Sequence, residues 1–283
     1  MRQLCSCTAG DVNLNLRAWG EGRPQLLLVH GFGDNALVWS RFAASLQERV
    51  CLLAVDLRGH GSSEWDPAGI YALQDHVLDV TRILDQFCPG PTVLVGHSLG
   101  AQIAIRVAAA RRERIRALVA VDFGFRPNPL SASLIRRKFR ERRTVYATHA
   151  QYVAMLSAQL PLAERSLLSE LANGALRPNR QGGLEETSDP ALADCDDRVD
   201  SDATLAMLKR IARPILVVRG EGSAVFSRAA AHELLAEVPQ CRLSSVAFSG
   251  HTVMLDNPDG FCTAVKSYIL RFLSEPATAL SDA

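Results

Sequence analysis

Long apolar runs, an excess of charge of one sign and C-x-x-C cysteine pairs are all missing from this sequence of 283 residues. No window approaches the roughly 18 apolar residues of a membrane-spanning helix, and the amino terminus has no run that resembles a signal peptide. Lys and Arg total 31 against 30 for Asp and Glu, a net charge of +1. We therefore expect no global attraction to nucleic acid or to a membrane surface.

The seven cysteines are odd in number and include no C-x-x-C pair. This usage is typical of free thiols in a reducing cytoplasm rather than of a disulfide framework or a zinc site. We therefore expect a cytoplasmic protein. No cluster of residues calls for a metal ion or a cofactor, so none is predicted.

What the sequence does contain is a series of short apolar runs separated by helical patterns. The runs are continuously apolar, which is typical of strands covered on both faces. They lie at 25–30, 50–56, 92–97, 115–122 and 214–220. Between them, apolar residues recur at i, i+3 and i+4, which predicts helices. The alternation predicts an α/β fold with a mostly parallel sheet and helices on both faces.

One segment interrupts the alternation. From Gly124 to about Thr204 the sequence shows helical patterns and no strand-like run. About 80 residues are too many for a loop, so we predict a helical cap inserted into the sheet domain. The predicted core covers residues 1–123 and 206–283, and the predicted cap covers residues 124–205.

The stretch VLVGHSLGAQIAI at 93–105 contains G-x-S-x-G between an apolar strand and an amphipathic helix. In that context the motif indicates a sharp turn that exposes the serine hydroxyl above the sheet. Bulk at Gly96 or Gly100 would clash with the neighbouring strand and helix. We therefore predict that Ser98 is a nucleophile.

Two further stretches supply partners for this serine. In LLLVHGFGDN, at 26–35, glycines allow the backbone at Phe32 to approach a ligand. Its N–H and that of Leu99 would form an oxyanion hole, whereas we interpret His30 as a turn residue. In VAFSGHTVMLDNPDGF, at 246–261, His251 follows a late strand and a glycine. A histidine last in chain order is typical of this arrangement, so His251 is the predicted base.

The motifs HGFGDN, DLRGHGSS, GHSLG, RGEGSAVFS and SGHTVMLDNPDGF together resemble those of the α/β-hydrolase fold superfamily, from about residue 12 to 273. The sequence is most similar to its capped branch of esterases, thioesterases and C–C-bond hydrolases. The resemblance implies Ser98 as nucleophile, Phe32 and Leu99 as oxyanion donors, and His251 as base. It also implies a helical cap over the site.

The resemblance exposes one departure. Relatives usually carry the carboxylate that orients the histidine at the position of Ala224, which cannot accept a hydrogen bond. Three interpretations stay open. The acid has moved, with Asp122 at the end of the strand 115–122 preferred over Glu221; or the alanine was introduced by engineering; or the natural protein has lost the acid and become weakened or repurposed.

We predict a serine hydrolase that cleaves a carboxylic ester or thioester through an acyl-enzyme on Ser98. The alternatives are a C–C-bond hydrolase of a diketone and a non-hydrolytic cyclase or binding protein. The expected partner is a small-molecule acyl substrate, either free or carried by CoA or an acyl carrier protein. The stretch RRKFRERR at 136–143 has six basic residues against one acidic. It is either a solvated helix face or a dock for an anionic carrier.

Overall fold

The computed structural model of the protein describes residues 2–9, 12–126, 129–142, 144–195 and 199–274. The strands are β1 Arg2–Ala9, β2 Val12–Trp19, β3 Pro24–Val29, β4 Cys51–Val55, β5 Thr92–His97, β6 Ile115–Val121, β7 Val145–Tyr146, β8 Leu176–Pro178, β9 Leu184–Glu186, β10 Ile215–Gly220 and β11 Cys241–Val246. The helices are α1 Ser40–Ala44, α2 Leu73–Phe87, α3 Leu99–Ala110, α4 Pro129–Glu141, α5 His149–Gln159, α6 Arg165–Ala175, α7 Ser201–Arg210, α8 Arg228–Glu237, α9 Val253–Asp256 and α10 Pro258–Ser274.

Eight strands form one sheet in the order β1-β2-β4-β3-β5-β6-β10-β11. The pairs of β2 with β1 and with β4 are antiparallel, and the remaining neighbours are parallel. This confirms the predicted α/β fold with a mostly parallel sheet. The stretch VNLNLRAW at 12–19 alternates apolar and polar residues, which predicts an edge or antiparallel strand, and it forms β2. The strand β1, which lies outside β2 in the sheet, was not predicted.

Each central strand contributes to a hydrophobic cluster on both faces of the sheet, which explains its uninterrupted apolar sequence. In β3, for example, Leu27 and Val29 enter one cluster, whereas Leu26 and Leu28 enter the other. All four side chains are completely buried. Buried residues of α2, α3 and α8 cover the first face, and those of α1 and α10 cover the second.

The stretch ALVWSRFAASLQE at 36–48 has apolar residues at i, i+3 and i+4, which predicts one helix, but the observed structure is shorter and less regular. A 3-10 helix at Ala36–Trp39 precedes α1, which ends at Ala44. The Asn35 side chain begins the 3-10 helix by accepting a hydrogen bond from the Leu37 N–H at 3.0 Å. The apolar residues Ala36–Trp39 are buried, but the periodicity of the stretch could not distinguish one long helix from two short turns.

Between β6 and β10 lies the inserted segment, residues 124–205. Its helices α4, α5 and α6 agree with the sequence patterns, but the prediction that it contains no strand is wrong. The strands β7, β9 and β8 form a small antiparallel sheet. With two or three residues each, they are too short to show a periodic pattern. The helix α7, Ser201–Arg210, runs across the predicted boundary at residue 205 and packs against α3 of the core.

Candidate active site

Ser98 occupies the sharp turn between β5 and α3. Its φ of 53° and ψ of −115° are unusual for a residue with a side chain. The turn requires glycine on both sides of the serine. A Cβ on Gly96 would lie 2.2 Å from the Gly100 carbonyl oxygen, and a Cβ on Gly100 would lie 2.2 Å from the Val29 carbonyl oxygen. Glycine at both positions therefore lets the strand, the turn and the helix approach each other.

The structure places His251 against Ser98. The Nε2 atom of His251 lies 3.0 Å from the Ser98 Oγ, and its Nδ1 atom lies 2.8 Å from the Asp122 Oδ1. Because an ionised carboxylate only accepts hydrogen bonds, Nδ1 carries the proton and Nε2 offers its lone pair to the serine hydroxyl. The geometry therefore suits removal of the Ser98 proton by His251.

Asp122 follows β6 directly and is fully buried. Its φ of 41° turns the chain sharply at the end of the strand. Besides the contact with His251, its Oδ2 accepts a hydrogen bond from the Gly220 N–H at 2.8 Å, and its Oδ1 accepts one from the Ser223 hydroxyl at 2.5 Å. These donors compensate a carboxylate that burial would otherwise penalise.

The two other positions considered for the acid do not supply a carboxylate to His251. Glu221 and Ala224 both lie in the exposed loop after β10. Glu221 uses its backbone N–H to bind the Val246 carbonyl at 3.0 Å, and the structure gives its carboxylate no hydrogen bond to the histidine. The described residues thus place one carboxylate, that of Asp122, against Nδ1 of His251.

Two residues that sequence reasoning missed hold the histidine loop. His97 lies next to Ser98, and its Nε2 donates to the His251 carbonyl at 2.9 Å. Asp256 accepts hydrogen bonds from the Gly250 N–H at 2.8 Å and the Thr252 hydroxyl at 3.1 Å. Asp256 follows His251 closely in the sequence, but no local pattern shows that its side chain reaches back to the loop.

The predicted oxyanion donors flank Ser98 from two elements. Leu99 is the first residue of α3, and Phe32 lies in the turn after β3. Within the described residues, neither backbone N–H donates a hydrogen bond to another protein group. The turn is close to the serine, since a Cβ on Gly31 would lie 3.2 Å from that of Ser98. Both donors therefore remain available for a ligand.

The inserted segment contacts the loops at this edge of the sheet. The ring of Phe139 in α4 lies 4.7 Å from that of Phe32, and the Asn35 amide donates to the Leu171 carbonyl of α6 at 3.1 Å. The Tyr71 hydroxyl binds the Asp189 carboxylate at 2.5 Å. These contacts place the segment above the loop that carries Phe32.

Much of the basic stretch 136–143 is engaged within the segment itself. Arg136 binds the Cys195 carbonyl, Arg140 binds Asp194, and Arg142 binds Glu186. Arg137 and Lys138 are exposed, and Arg143 lies outside the described residues. The structure therefore leaves fewer of these charges facing solvent than the sequence suggested.

The residues that the structure describes contain neither a membrane-spanning helix nor a metal-binding cluster. Among them, no helix is both long and apolar enough to cross a membrane. No group of three or more His, Cys, Asp or Glu side chains is arranged to hold a metal ion. Of the cysteines there, Cys51, Cys88 and Cys241 are buried and form no disulfide.

The model of a known family, described as the alpha/beta hydrolase family, matches residues 26–264. This chain belongs to that family. The match spans the strand before Phe32, the serine turn and the loop of His251. It confirms the superfamily that the motifs of the sequence resemble.

Several relatives match over nearly the whole chain. One, 2-(acetamidomethylene)succinate hydrolase of Mesorhizobium japonicum, is 27% identical over 92% of this chain and 92% of its own length. A crystal structure of E-2-(acetamidomethylene)succinate hydrolase has a TM-score of 0.83 at 25% identity, covering 95% of this chain and 98% of that chain. These relatives are named as hydrolases, which supports an enzyme here.

Two further relatives carry the name esterase. An esterase of Mycobacterium tuberculosis is 29% identical over 89% of this chain and 84% of its own length. A pimeloyl-[acyl-carrier protein] methyl ester esterase of Vibrio parahaemolyticus is 26% identical, covering 91% of this chain and 98% of its own. The name esterase is therefore carried by relatives that match most of this chain.

Proposed function

We propose that this protein is a serine hydrolase that cleaves a carboxylic ester or thioester through an acyl-enzyme on Ser98. In this proposal His251 is the general base, Asp122 orients it, and the backbone N–H groups of Phe32 and Leu99 bind the oxyanion. The observation that carries the proposal is the continuous contact from Ser98 Oγ through the His251 ring to Asp122, with distances of 3.0 and 2.8 Å.

The steps follow from this geometry. Ser98 Oγ attacks the carbonyl carbon while its proton passes to Nε2 of His251. The Phe32 and Leu99 amides stabilise the negative oxygen of the tetrahedral intermediate. When the C–O or C–S bond breaks, His251 returns the proton to the leaving alcohol or thiol.

Water then repeats the sequence on the acyl-enzyme. The water oxygen attacks the carbonyl carbon of the acyl-enzyme while His251 takes a proton from that water. When the second tetrahedral intermediate breaks down, His251 returns the proton to the Ser98 oxygen. The acid product leaves the site. Throughout, the buried Asp122 carboxylate accepts the Nδ1–H bond and stabilises the imidazolium that forms transiently.

The position of Asp122 bears on the alternatives that rested on Ala224. An engineered or natural loss of the acid was inferred from an alanine at the usual position. A buried carboxylate 2.8 Å from His251 Nδ1 provides the same orienting contact from the end of the neighbouring strand. We therefore favour an enzyme with a relocated acid over a disabled hydrolase, a cyclase or a binding protein.

We propose small-molecule acyl substrates, with esters ahead of thioesters and of diketones. Two relatives named as esterases support the ester class. One of these names an acyl carrier protein, and the exposed Arg137 and Lys138 of α4 offer positive charge to such an acidic carrier. A carrier-bound substrate is the second form of the same proposal.

The proposal also includes a cap. Residues 124–205 would cover the carboxyl edge of the sheet and line the acyl side of the site, since Phe139 packs on Phe32 beside the proposed oxyanion donor. Residues 1–123 and 206–283 would form the core. The contacts of α6 with the loop at Asn35 would then fix the cap above Ser98.

Covalent labelling tests the proposal directly. A fluorophosphonate ester should add one label per chain, located on Ser98 by peptide mass spectrometry, and should abolish hydrolysis of methyl butyrate. The Ser98→Ala variant should take up no label, whereas Ser62→Ala, which removes an exposed hydroxyl of another loop, should label like the wild type. An unlabelled wild-type protein with no ester hydrolysis would contradict the proposed function.

A further inference from the structure

The carboxyl group of Asp34 lies beside the proposed catalytic residues but has no place in their mechanism. Asp34 ends the turn after β3, and its N–H donates to the Gly31 carbonyl at 3.3 Å. The same turn contains Phe32, the proposed oxyanion donor, and Gly33, whose φ of 76° reverses the chain. Asp34 is therefore fixed to the loop that would bind the substrate carbonyl.

A single histidine separates Asp34 from the catalytic base. Its Oδ2 atom lies 3.8 Å from Nδ1 of His97. The other ring nitrogen of His97 donates to the His251 carbonyl at 2.9 Å, and the rings of His97 and His251 are 4.7 Å apart. The Asp34 carboxyl thus reaches the edge of the sheet at which Ser98 and His251 meet.

Among the described residues, neither the Asp34 carboxyl nor the Nδ1 atom of His97 has a hydrogen-bond partner. The Nδ1 atom of His97 is buried without one. Because Nε2 carries the proton that binds the His251 carbonyl, Nδ1 is an acceptor that cannot donate to Asp34. The Asp34 side chain retains 18% exposure. A carboxyl that is mostly buried but still accessible, with no internal donor, is available to a ligand.

The surroundings place this carboxyl between the core and the inserted segment. A Cβ on Gly33 would lie 3.5 Å from the Phe139 ring of α4. The charge of Asp34 also contributes to raising the pKa of Tyr152 in α5, after burial and the charges of Glu186 and Tyr146. Ionisable groups near Asp34 thus come from both sides, with His97 and His251 in the core and Tyr152 in the inserted segment.

Burial raises the pKa of Asp34 to about 7, against the opposing effect of the His251 charge. The raised value means that the carboxyl is neutral below this pH and becomes a partly buried anion above it. Around neutrality, a modest change in pH therefore alters the charge on this wall of the site.

We propose that Asp34 determines acyl-group specificity by disfavouring acyl chains that end in a carboxylate and favouring chains that end in a hydroxyl. The inference rests on the proposed ester or thioester hydrolysis at Ser98. A second anion near Asp34 would be repelled in a site with little water, whereas a hydroxyl would donate the hydrogen bond that no described residue supplies.

Three esters of matched acyl length test this selectivity: methyl butyrate, monomethyl succinate and methyl 4-hydroxybutyrate, with methanol release as the readout. At pH 8 the wild type should hydrolyse the succinate with a kcat/KM at least about thirtyfold below that of the butyrate. In Asp34→Asn the ratio between the two kcat/KM values should shrink at least about tenfold. The kcat/KM for methyl butyrate itself should change by less than about threefold. Glu141→Gln, which removes an exposed carboxylate of α4, should leave the ratio unchanged.

A second measurement needs no variant. In the wild type, the ratio of kcat/KM for succinate to that for butyrate should rise as the pH falls from 8 to 6, because Asp34 becomes neutral. Effects on Ser98 and His251 cancel in this ratio, since both esters use them. In Asp34→Asn the ratio should not depend on pH.

The outcomes separate the two proposals. If the fluorophosphonate labels Ser98 but the three esters are hydrolysed without discrimination, or Asp34→Asn slows all of them by one factor, the specificity role of Asp34 is wrong. If the wild type neither labels nor hydrolyses any ester, the proposed function itself fails. Labelling of Asp34→Asn at the wild-type rate shows that its site is intact. If that variant does not fold, the pH dependence of the wild-type ratio decides the question.

Discussion

Asp122, at the end of β6, accepts a hydrogen bond from Nδ1 of His251 at 2.8 Å, across 129 residues of sequence. The strand β10 lies beside β6 in the sheet, and the loop after β10 holds Ala224, where relatives usually carry the acid. In our proposal, this contact replaces a carboxylate from the end of one strand with a carboxylate from the end of the neighbouring strand, so that the histidine is oriented without a change of fold.

Restoring an aspartate at the usual position should bring little gain. His251 has a single Nδ1–H, and Asp122 already accepts it. In Ala224→Asp a second carboxylate would compete for that donor, so kcat/KM for methyl butyrate should rise by less than about tenfold. Ala224→Asn is the control for added bulk without charge. A gain near ~10³, close to the effect of an orienting carboxylate, would show that Asp122 does not serve this role.

Ser223 should act as a positioning residue for Asp122. Its hydroxyl donates to the Asp122 Oδ1 at 2.5 Å. Loss of a hydrogen bond to a charged group costs about 1.5–3 kcal/mol, so Ser223→Ala should lower kcat about ten- to a hundredfold with little change in KM. Ser223→Thr keeps the hydroxyl and should retain most of the activity. An equal decrease in kcat for Ser223→Ala and Ser223→Thr would indicate a general disturbance of the loop instead.

Gly96 should be essential to the serine turn for a steric reason. Its added Cβ would lie 2.2 Å from the Gly100 carbonyl oxygen, a backbone atom that cannot move aside. Gly96→Ala should therefore lower the free energy of unfolding by at least about 1–3 kcal/mol, measured by urea denaturation. Gly90→Ala, where nothing lies within 4 Å of the added Cβ, is the matched control. Equal stability of the two variants would contradict the close packing at the turn.

Buried histidines should make the protein less stable in acid. Burial lowers the pKa of His30 to about 4 and that of His60 to about 3, and it lowers the pKa of His76 and His97 well below 6.5. Below pH 6.5 the unfolded chain binds protons that the folded protein excludes. Each such histidine should then remove up to about 1.4 kcal/mol of unfolding free energy per pH unit.

The measurement of this effect must account for Asp34. Burial raises the pKa of Asp34 to about 7. Its effect on stability is opposite to that of the histidines, because the free energy of unfolding increases as the pH falls through 7 and Asp34 takes up a proton. Urea unfolding of Asp34→Asn between pH 7 and 5.5 removes this contribution. Burial also raises the pKa of Asp56, Asp79 and Asp256, and these carboxyls oppose the four histidines only in part, since carboxylates ordinarily titrate lower. The free energy of unfolding should decline steadily through this range. A flat profile would mean that the imidazoles accept protons in the folded state.

The central strands of the sheet could be predicted because strands that are buried on both faces have continuously apolar sequences. The runs that became β3, β4, β5, β6 and β10 are apolar throughout, as their two-sided burial requires. The strands β7, β8 and β9 were missed because two or three residues show no period. β1 also escaped prediction, although it pairs with β2 along its length.

The site was predictable only where a local motif defines it. The serine turn and the histidine loop each carry glycines at fixed offsets, so Ser98 and His251 could be named from the sequence. The choice between Asp122 and Glu221 could not be made, because it depends on which strand end faces the imidazole. Asp34 and His97 form a contact across 63 residues that no periodic pattern records.

The most direct test of the account is the kcat of Asp122→Asn against that of Glu221→Gln, both with methyl butyrate and with Ser98 labelling in parallel. The asparagine keeps the shape of the side chain but disturbs the histidine tautomer, so kcat should fall by about 10⁴. The exposed Glu221 makes no contact with His251, and its variant should match the wild type. Activity of Asp122→Asn within tenfold of the wild type, or its loss in Glu221→Gln, would contradict a relocated acid at Asp122.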